Sequence, residues 1–128
     1  MRLLLDTSVL IDVLRARNRR RQQLGDLLRA GHALATSVVN VAELFAGMRL
    51  EEEGAAEAFL GQLDCFDLTS ADARLAGKLK SHWSRKGRTL ALPDAIVAAI
   101  AIENQCSLFT DNRKDFPMSE LSLYTPGV

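Results

Sequence analysis

Histidine, cysteine and net charge are all scarce in this chain, and each scarcity removes a class of function. There are two histidines and two cysteines in 128 residues. Two histidines without an HExxH pattern or cysteine partners do not make a zinc site. Two cysteines are not a disulfide framework. Cys65 in LDCFDL and Cys106 in QCSLFT lie in strand-like apolar stretches and read as reduced core thiols. The 16 basic residues balance the 16 acidic ones, so bulk charge argues neither for nor against a nucleic-acid partner. No apolar run is long enough to span a bilayer. The N-terminus, MRLLLDTSVLIDVL, superficially resembles a signal peptide, but Asp6 and Asp12 interrupt it and no small-residue cleavage site follows. It reads as a buried strand and a helix, in a cytoplasmic protein. Repeats, low-complexity segments and linkers are missing too, so a single domain over residues 1–128 is the simplest organisation.

Apolar residues are plentiful: 48% of the chain, ample for a real core. Arg2–Leu5 predicts a short buried strand, followed by a helix to about residue 16 that Thr7 or Ser8 can cap. Asn18 is placed to cap a second helix to about residue 30, ended by Gly31. A second strand over 33–36, a helix over about 39–49 and another over 52–63 come next. A strand over 65–68 precedes a long amphipathic helix over 70–86 with the stripe Ala73, Leu75, Ala76, Leu79 and Trp83. Pro93 and Asp94 open a helix to about residue 105 that is apolar nearly all round and must be covered on most sides. Strands over 107–110 and 121–124 complete the pattern. Strands alternating with helices imply an α/β fold, with a parallel sheet of four or five strands between helical layers.

Four acidic residues stand at element ends in strongly apolar surroundings: Asp6 in LLLDTSVL, Glu43 in VVNVAELF, Asp94 in LALPDAIVAAIA and Asp115 in FTDNRKDF. Burying one carboxylate is costly, and gathering several is worse because they repel. Such a set calls for a divalent cation. Ligands in parallel α/β folds bind at the carboxyl ends of strands, and all four acids can converge on one such rim. Blander roles exist. Asp6 and Asp94 also suit helix starts, Glu43 can meet an arginine, and Asn40 is either a supporting amide or a surface residue. Asp111 and Asp115 both compete for the fourth acidic position. Thr7 and Ser8 are good caps, and Ser8 can also steady Asp6 or a bound water. Thr110 and Asn112 flank Asp111 as supporting polar groups. Asp12 reads as solvated. Arg15, Arg17, Arg19, Arg20 and Arg21 form the dense positive run, which reads either as a solvated helix junction or as a contact for phosphates near Asp6, and Arg85, Lys86 and Arg88 offer a second contact.

With these residues in view, the chain resembles the PIN-domain ribonucleases, specifically the VapC toxins of bacterial and archaeal toxin–antitoxin pairs. DTSVLID at 6–12, Glu43-Leu44 after a Thr-Ser strand end, LPDAIVAAIA at 92–101 and TDNRKDF at 110–116 follow the family's signatures in order. The resemblance implies a three-layer α/β/α PIN-like fold and Mg²⁺ or Mn²⁺ held by Asp6, Glu43, Asp94 and Asp115. It implies cleavage of RNA by attack of a metal-activated water, with Ser8 and Asn112 at a recurrent hydroxyl and amide. The family often has a neutral residue where Asp111 stands. It further implies a homodimer and a cognate VapB-like antitoxin. The antitoxin's tail is expected to carry a basic residue to the acids and an apolar body to Val9, Val13, Leu24 and Leu28. Rival readings are a housekeeping RNA- or DNA-processing nuclease on the same fold and a non-catalytic regulatory module. A haloacid-dehalogenase-type phosphotransferase is disfavoured, because it needs a second Asp where Ser8 stands.

Overall fold

Leu3, Leu4 and Leu5 are completely buried, as expected of a central strand covered on both faces. The computed structural model describes residues 1–126. Strand β1 (Arg2–Leu5) is flanked by β2 (Ala33–Ser37) and β4 (Ser107–Phe109), with β3 (Asp64–Phe66) and β5 (Ser122–Leu123) at the edges. The order is β3-β2-β1-β4-β5 and every pairing is parallel. Successive side chains of β1 point to opposite faces, so they feed two cores. Leu3 and Leu5 join Phe109 and Leu34 under α1 (Thr7–Leu14), α2 (Arg20–Arg29), α3 (Val38–Gly47) and α4 (Glu53–Leu60). Leu4 joins Leu108 under α5 (Ser70–Arg85) and α6 (Leu92–Glu103). This is the three-layer α/β/α arrangement.

The chain leaves β1 towards β2 and β3 on one side and returns to β4 on the other. The switch in strand order therefore falls between β1 and β4, where parallel α/β sheets place their ligands. The nearly all-apolar α6 is covered as its composition demands, with Ala95, Val97, Ala98, Ala99, Ile100 and Ala101 buried. Its small residues Ala95 and Ala99 meet Ala76 of α5, which lets the two helices approach closely. Helix α5 starts with a reciprocal cap: the Thr69 hydroxyl accepts from Asp72 N–H and the Asp72 carboxylate accepts from Thr69 N–H, both at 3.0 Å.

Several expectations need correction. Asn18 does not cap α2. The helix begins at Arg20, and Ala16, Asn18 and Arg19 all take left-handed backbone angles (φ 52°, 55° and 56°). Asn18 instead donates its amide to Asp12 Oδ2 at 2.9 Å. Asp12 is not solvated but buried, because it faces the start of α2 and pairs there with Arg20. Cys65 is exposed while Cys106 is buried, since β3 is an edge strand whose first two residues are uncovered. The helix expected over 52–63 splits into a 3₁₀ turn (Leu50–Glu52) and the shorter α4. Ala73 lies outside the buried stripe of α5, which is carried by Ala76 and Leu79, with Leu75 and Trp83 packed beside them.

Candidate active site

Asp6 directly follows β1 and precedes α1, yet its side chain makes no cap to that helix. Its backbone N–H donates to Phe109 O at 2.9 Å, tying it to the end of β4. Its carboxylate is turned into a polar cradle. Oδ1 accepts from Asn40 Nδ2 at 2.9 Å and Oδ2 accepts from the Thr110 hydroxyl at 2.6 Å. Asp6 is only 7% exposed, so these two donors are what make its charge tolerable there.

The cradle is built from α3. Ser37 caps that helix, accepting from Asn40 N–H at 3.3 Å, and its hydroxyl donates to Asn40 Oδ1 at 2.6 Å. That bond decides which way the amide faces, leaving Nδ2 for Asp6 and for Thr7 Oγ1 at 3.1 Å. The Thr7 hydroxyl in turn donates to Glu43 Oε1 at 2.7 Å. Asn40 and Glu43 are three residues apart, on one face of α3. Ser37, Asn40, Thr7 and Glu43 thus form a continuous hydrogen-bond chain. Asn40 is completely buried and is not a surface residue; its spacing of three from both Ser37 and Glu43 was the available signal.

Asp94 lies in the first turn of α6, half-buried. Its carboxyl is pushed up to about 6, first by burial and then by the negative charges of Asp115, Asp6 and Glu43. The other three acids therefore all lie within electrostatic reach of Asp94. Glu43 and Asp115 are exposed, so the cluster opens to solvent. Among the described residues, no three acidic, histidine or cysteine side chains already stand in ligand geometry. Repulsion keeps bare carboxylates apart, and Mg²⁺ retains several waters rather than needing an all-protein cage. The donors are oxygens only, which suits a hard divalent cation and not zinc.

The remaining candidates divide. Thr110 holds Asp6, and its oxygen also accepts from Asn112 N–H at 3.0 Å. Ser8 Oγ accepts from Asp111 N–H at 3.5 Å, so it faces the turn after β4 and not Asp6. Asp111 is ion-paired with Arg20. Asp115 closes a 3₁₀ turn (Arg113–Asp115), with its N–H on Asn112 O at 2.9 Å.

The five arginines do not form one RNA-facing strip. Arg20 is buried between Asp12 and Asp111. Burial works against its charge, but the hydrogen bonds to Asp111 and Asp12 outweigh this and raise its pKa. Arg15 pairs with Glu52 at 3.2 Å. Arg21 donates to Val13 O at 2.7 Å and Leu14 O at 3.1 Å, closing the end of α1. Arg17 and Arg19 are exposed. In the second basic group, Arg88 is bonded to Lys114 O and Lys86 lies 5.2 Å from the centre of the Trp83 ring.

The pattern of the PIN domain matches residues 3–118. The chain belongs to the PIN-domain family. It is 33% identical over 115 residues to ribonuclease VapC19 of Mycobacterium tuberculosis, a match covering 90% of this chain and 92% of that one. That relationship places this PIN domain in the VapC ribonuclease family. Its fold is similar to that of VapBC2 from Rickettsia felis bound to a promoter DNA fragment, with a TM-score of 0.86, 23% identity and coverage of 97% and 98% of the two chains. A toxin–antitoxin complex from Klebsiella pneumoniae is also similar, with a TM-score of 0.78, 27% identity and coverage of 97% of each chain.

Proposed function

We propose that this VapC-family PIN domain is a metal-dependent endoribonuclease and the toxin of a toxin–antitoxin pair. The observation that carries the reading is a cradled carboxylate, Asp6, beside an Asp94 carboxyl raised to about 6, first by its burial and then by the charges of Asp115, Asp6 and Glu43. A cation would relieve the repulsion that the other acids exert on Asp94. Asp6, Glu43, Asp94 and Asp115 would hold Mg²⁺ or Mn²⁺. A divalent cation supplies, when bound, Lewis acidity towards water and the scissile phosphate. The chain's own residues do the rest. Asn40 and Thr110 each donate to one oxygen of Asp6 and fix its direction. Thr7 fixes Glu43. Asp94, raised to about 6, gives up its proton as pH rises through that value and then adds its charge to the set. Arg17 and Arg19, exposed beside α2, are the cations of their run left to meet RNA phosphates.

For the antitoxin, the structure offers an apolar groove between α1, α2 and α4, lined by Val13, Leu24, Leu28, Leu34, Phe59 and Leu63. Val9, expected to contribute, is completely buried and does not. Leu28 is 56% exposed and is the natural anchor for an apolar tail. A homodimer is part of the same proposal. No helix among the described residues is long and apolar enough to cross a membrane.

The test is cleavage of RNA by the purified protein with Mg²⁺ or Mn²⁺, with and without EDTA. Activity lost in EDTA and restored by added metal supports the reading, and equal cutting in excess chelator removes its metal part. Expression of the chain should arrest growth, and Asp6→Asn should relieve the arrest. Equal toxicity of that variant overturns the nuclease-toxin reading.

A further inference from the structure

Arg20 is outside the acid cluster, yet it is a buried cation between two carboxylates. Its Nε donates to Asp12 Oδ2 at 3.1 Å, its Nη1 to Gln23 Oε1 at 2.9 Å, and its Nη2 to Asp111 Oδ1. Its guanidinium carbon stands 5.1 Å from the centre of the Phe109 ring. Asp12 is buried too, and takes a second bond from Asn18. The guanidinium is therefore fixed by α1, α2 and the end of β4 before Asp111 is considered. Asp111 approaches from the solvent side: its side chain is 47% exposed against 9% for Arg20. An ordinary surface pair gains little because both partners must be immobilised. Here one partner is already rigid.

Asp111 opens the turn that ends at Asp115. Just before it, the Thr110 hydroxyl is committed to Asp6. Just after it, Asn112 N–H is held by Thr110 Oγ1 and Asn112 O receives Asp115 N–H. The turn thus has two side-chain anchors at its entry, Thr110 on Asp6 and Asp111 on Arg20. We propose that Arg20 is a positioning residue for the carboxylate set: by clasping Asp111 it sets the turn that presents Asp115, and it keeps Asp111 out of the ligand set. The proposal rests on the metal-nuclease reading above. It also resolves the competition between the two acids, because the Asp111 oxygen facing inward already has a cation. A lysine cannot replace the arginine here. A single ammonium lacks the fork that reaches Asp12 with one nitrogen and Asp111 with another.

The experiment is a double-mutant cycle read by Mn²⁺ binding, following free Mn²⁺ by electron paramagnetic resonance, with RNA cleavage as the second readout. The variants are Asp111→Ala, Asp115→Ala and the pair together. Asp111→Ala is expected to weaken Mn²⁺ binding by roughly 10-fold, the low end for a residue acting behind a metal ligand. On the Asp115→Ala background the same change should do nothing, because its effect passes through Asp115. Arg20→Lys, which keeps a cation beside Asp12, should reproduce the Asp111→Ala loss and add nothing to it. If Asp111→Ala leaves Mn²⁺ affinity unchanged, the clasp has no positioning role. If the Asp111 and Asp115 losses multiply, Asp111 acts on its own and the proposal fails. Asp111 is on the surface, so this arm stands even if Arg20→Lys does not fold. Asp6→Asn serves as the control: Mn²⁺ affinity unchanged in that variant refutes the metal site itself, whereas loss there with intact Asp111→Ala binding refutes only the clasp.

Discussion

Asp6 and Asp94 are two aspartates at the starts of helices, and the protein treats them in opposite ways. Asp6 is the more deeply buried and is given two hydrogen-bond donors, one on each oxygen. Asp94 is half-buried and faces three other carboxylates, with its own carboxyl raised to about 6. Burial raises Asp94 first and its like-charged neighbours add to that, whereas Asp6 has a donor on each oxygen. One acid is a fixed point of the scaffold. The other is a loaded position, held in place by a helix whose apolar body cannot move away.

That contrast can be tested at its strongest first. Asp6→Asn and Asp94→Asn should each cut RNA cleavage by more than the roughly 10- to 100-fold typical of groups behind a metal ligand, measured as single-turnover rates. If either variant keeps its rate, that residue leaves the proposed ligand set.

Stability should then separate the two amides in sign. In metal-free protein, Asp6→Asn replaces one accepting oxygen by an NH₂ and leaves a buried donor poorly matched, at a cost of about 1–3 kcal/mol. Asp94→Asn removes repulsion and should raise the melting temperature. Thermal unfolding in EDTA reads both, and two shifts of the same sign would break the comparison.

Asn40→Ala sharpens it further. This change strips a donor from Asp6 and leaves the Ser37 hydroxyl without its acceptor, so a loss of about 1–3 kcal/mol is expected. Cleavage should fall with it, while Val38→Ala, a change at an exposed position of the same helix, should leave stability within about 0.5 kcal/mol.

The smallest expected effect is on pH dependence. The ordinary aspartate value is 3.8 and Asp94 in the fold is raised to about 6. Its contribution therefore favours the metal-free fold below about pH 4 and is withdrawn as pH rises through about 6. If Asp94 is a ligand as proposed, metal competes with that proton, and Mn²⁺ affinity should rise over the same window. Asp94→Asn should flatten the stability profile there, and an unchanged profile would mean another group titrates.

The sheet and its helices were legible because their apolar runs are long and separated by Gly, Pro or capping residues. The acids stood out because each interrupts such a run. What escaped were partnerships between distant residues. Asp12 looked solvated because nothing in the sequence announces that Arg20, beyond three left-handed residues, folds back onto it. Asp111 and Asp115 were inseparable because the cation that singles out Asp111 lies 91 positions away. Asn40 was ambiguous because an amide in an apolar stretch does not name its acceptor. Arg15, Arg20 and Arg21 looked like a surface run, but each has an internal partner that only the fold supplies.

The hydrogen bond from Thr110 to Asp6 spans 104 residues, and this gives the site a place in time. A chain growing on the ribosome has Asp6 and Glu43 long before it has β4, and Asp94 only shortly before. Until Ser107–Phe109 joins the sheet beside β1, Asp6 has neither its backbone acceptor nor its Thr110 donor, and Asp115 has not been made. Domains fold as units once enough of the chain has emerged. The proposed carboxylate set is therefore incomplete through most of translation and is assembled only once the last strands are laid down.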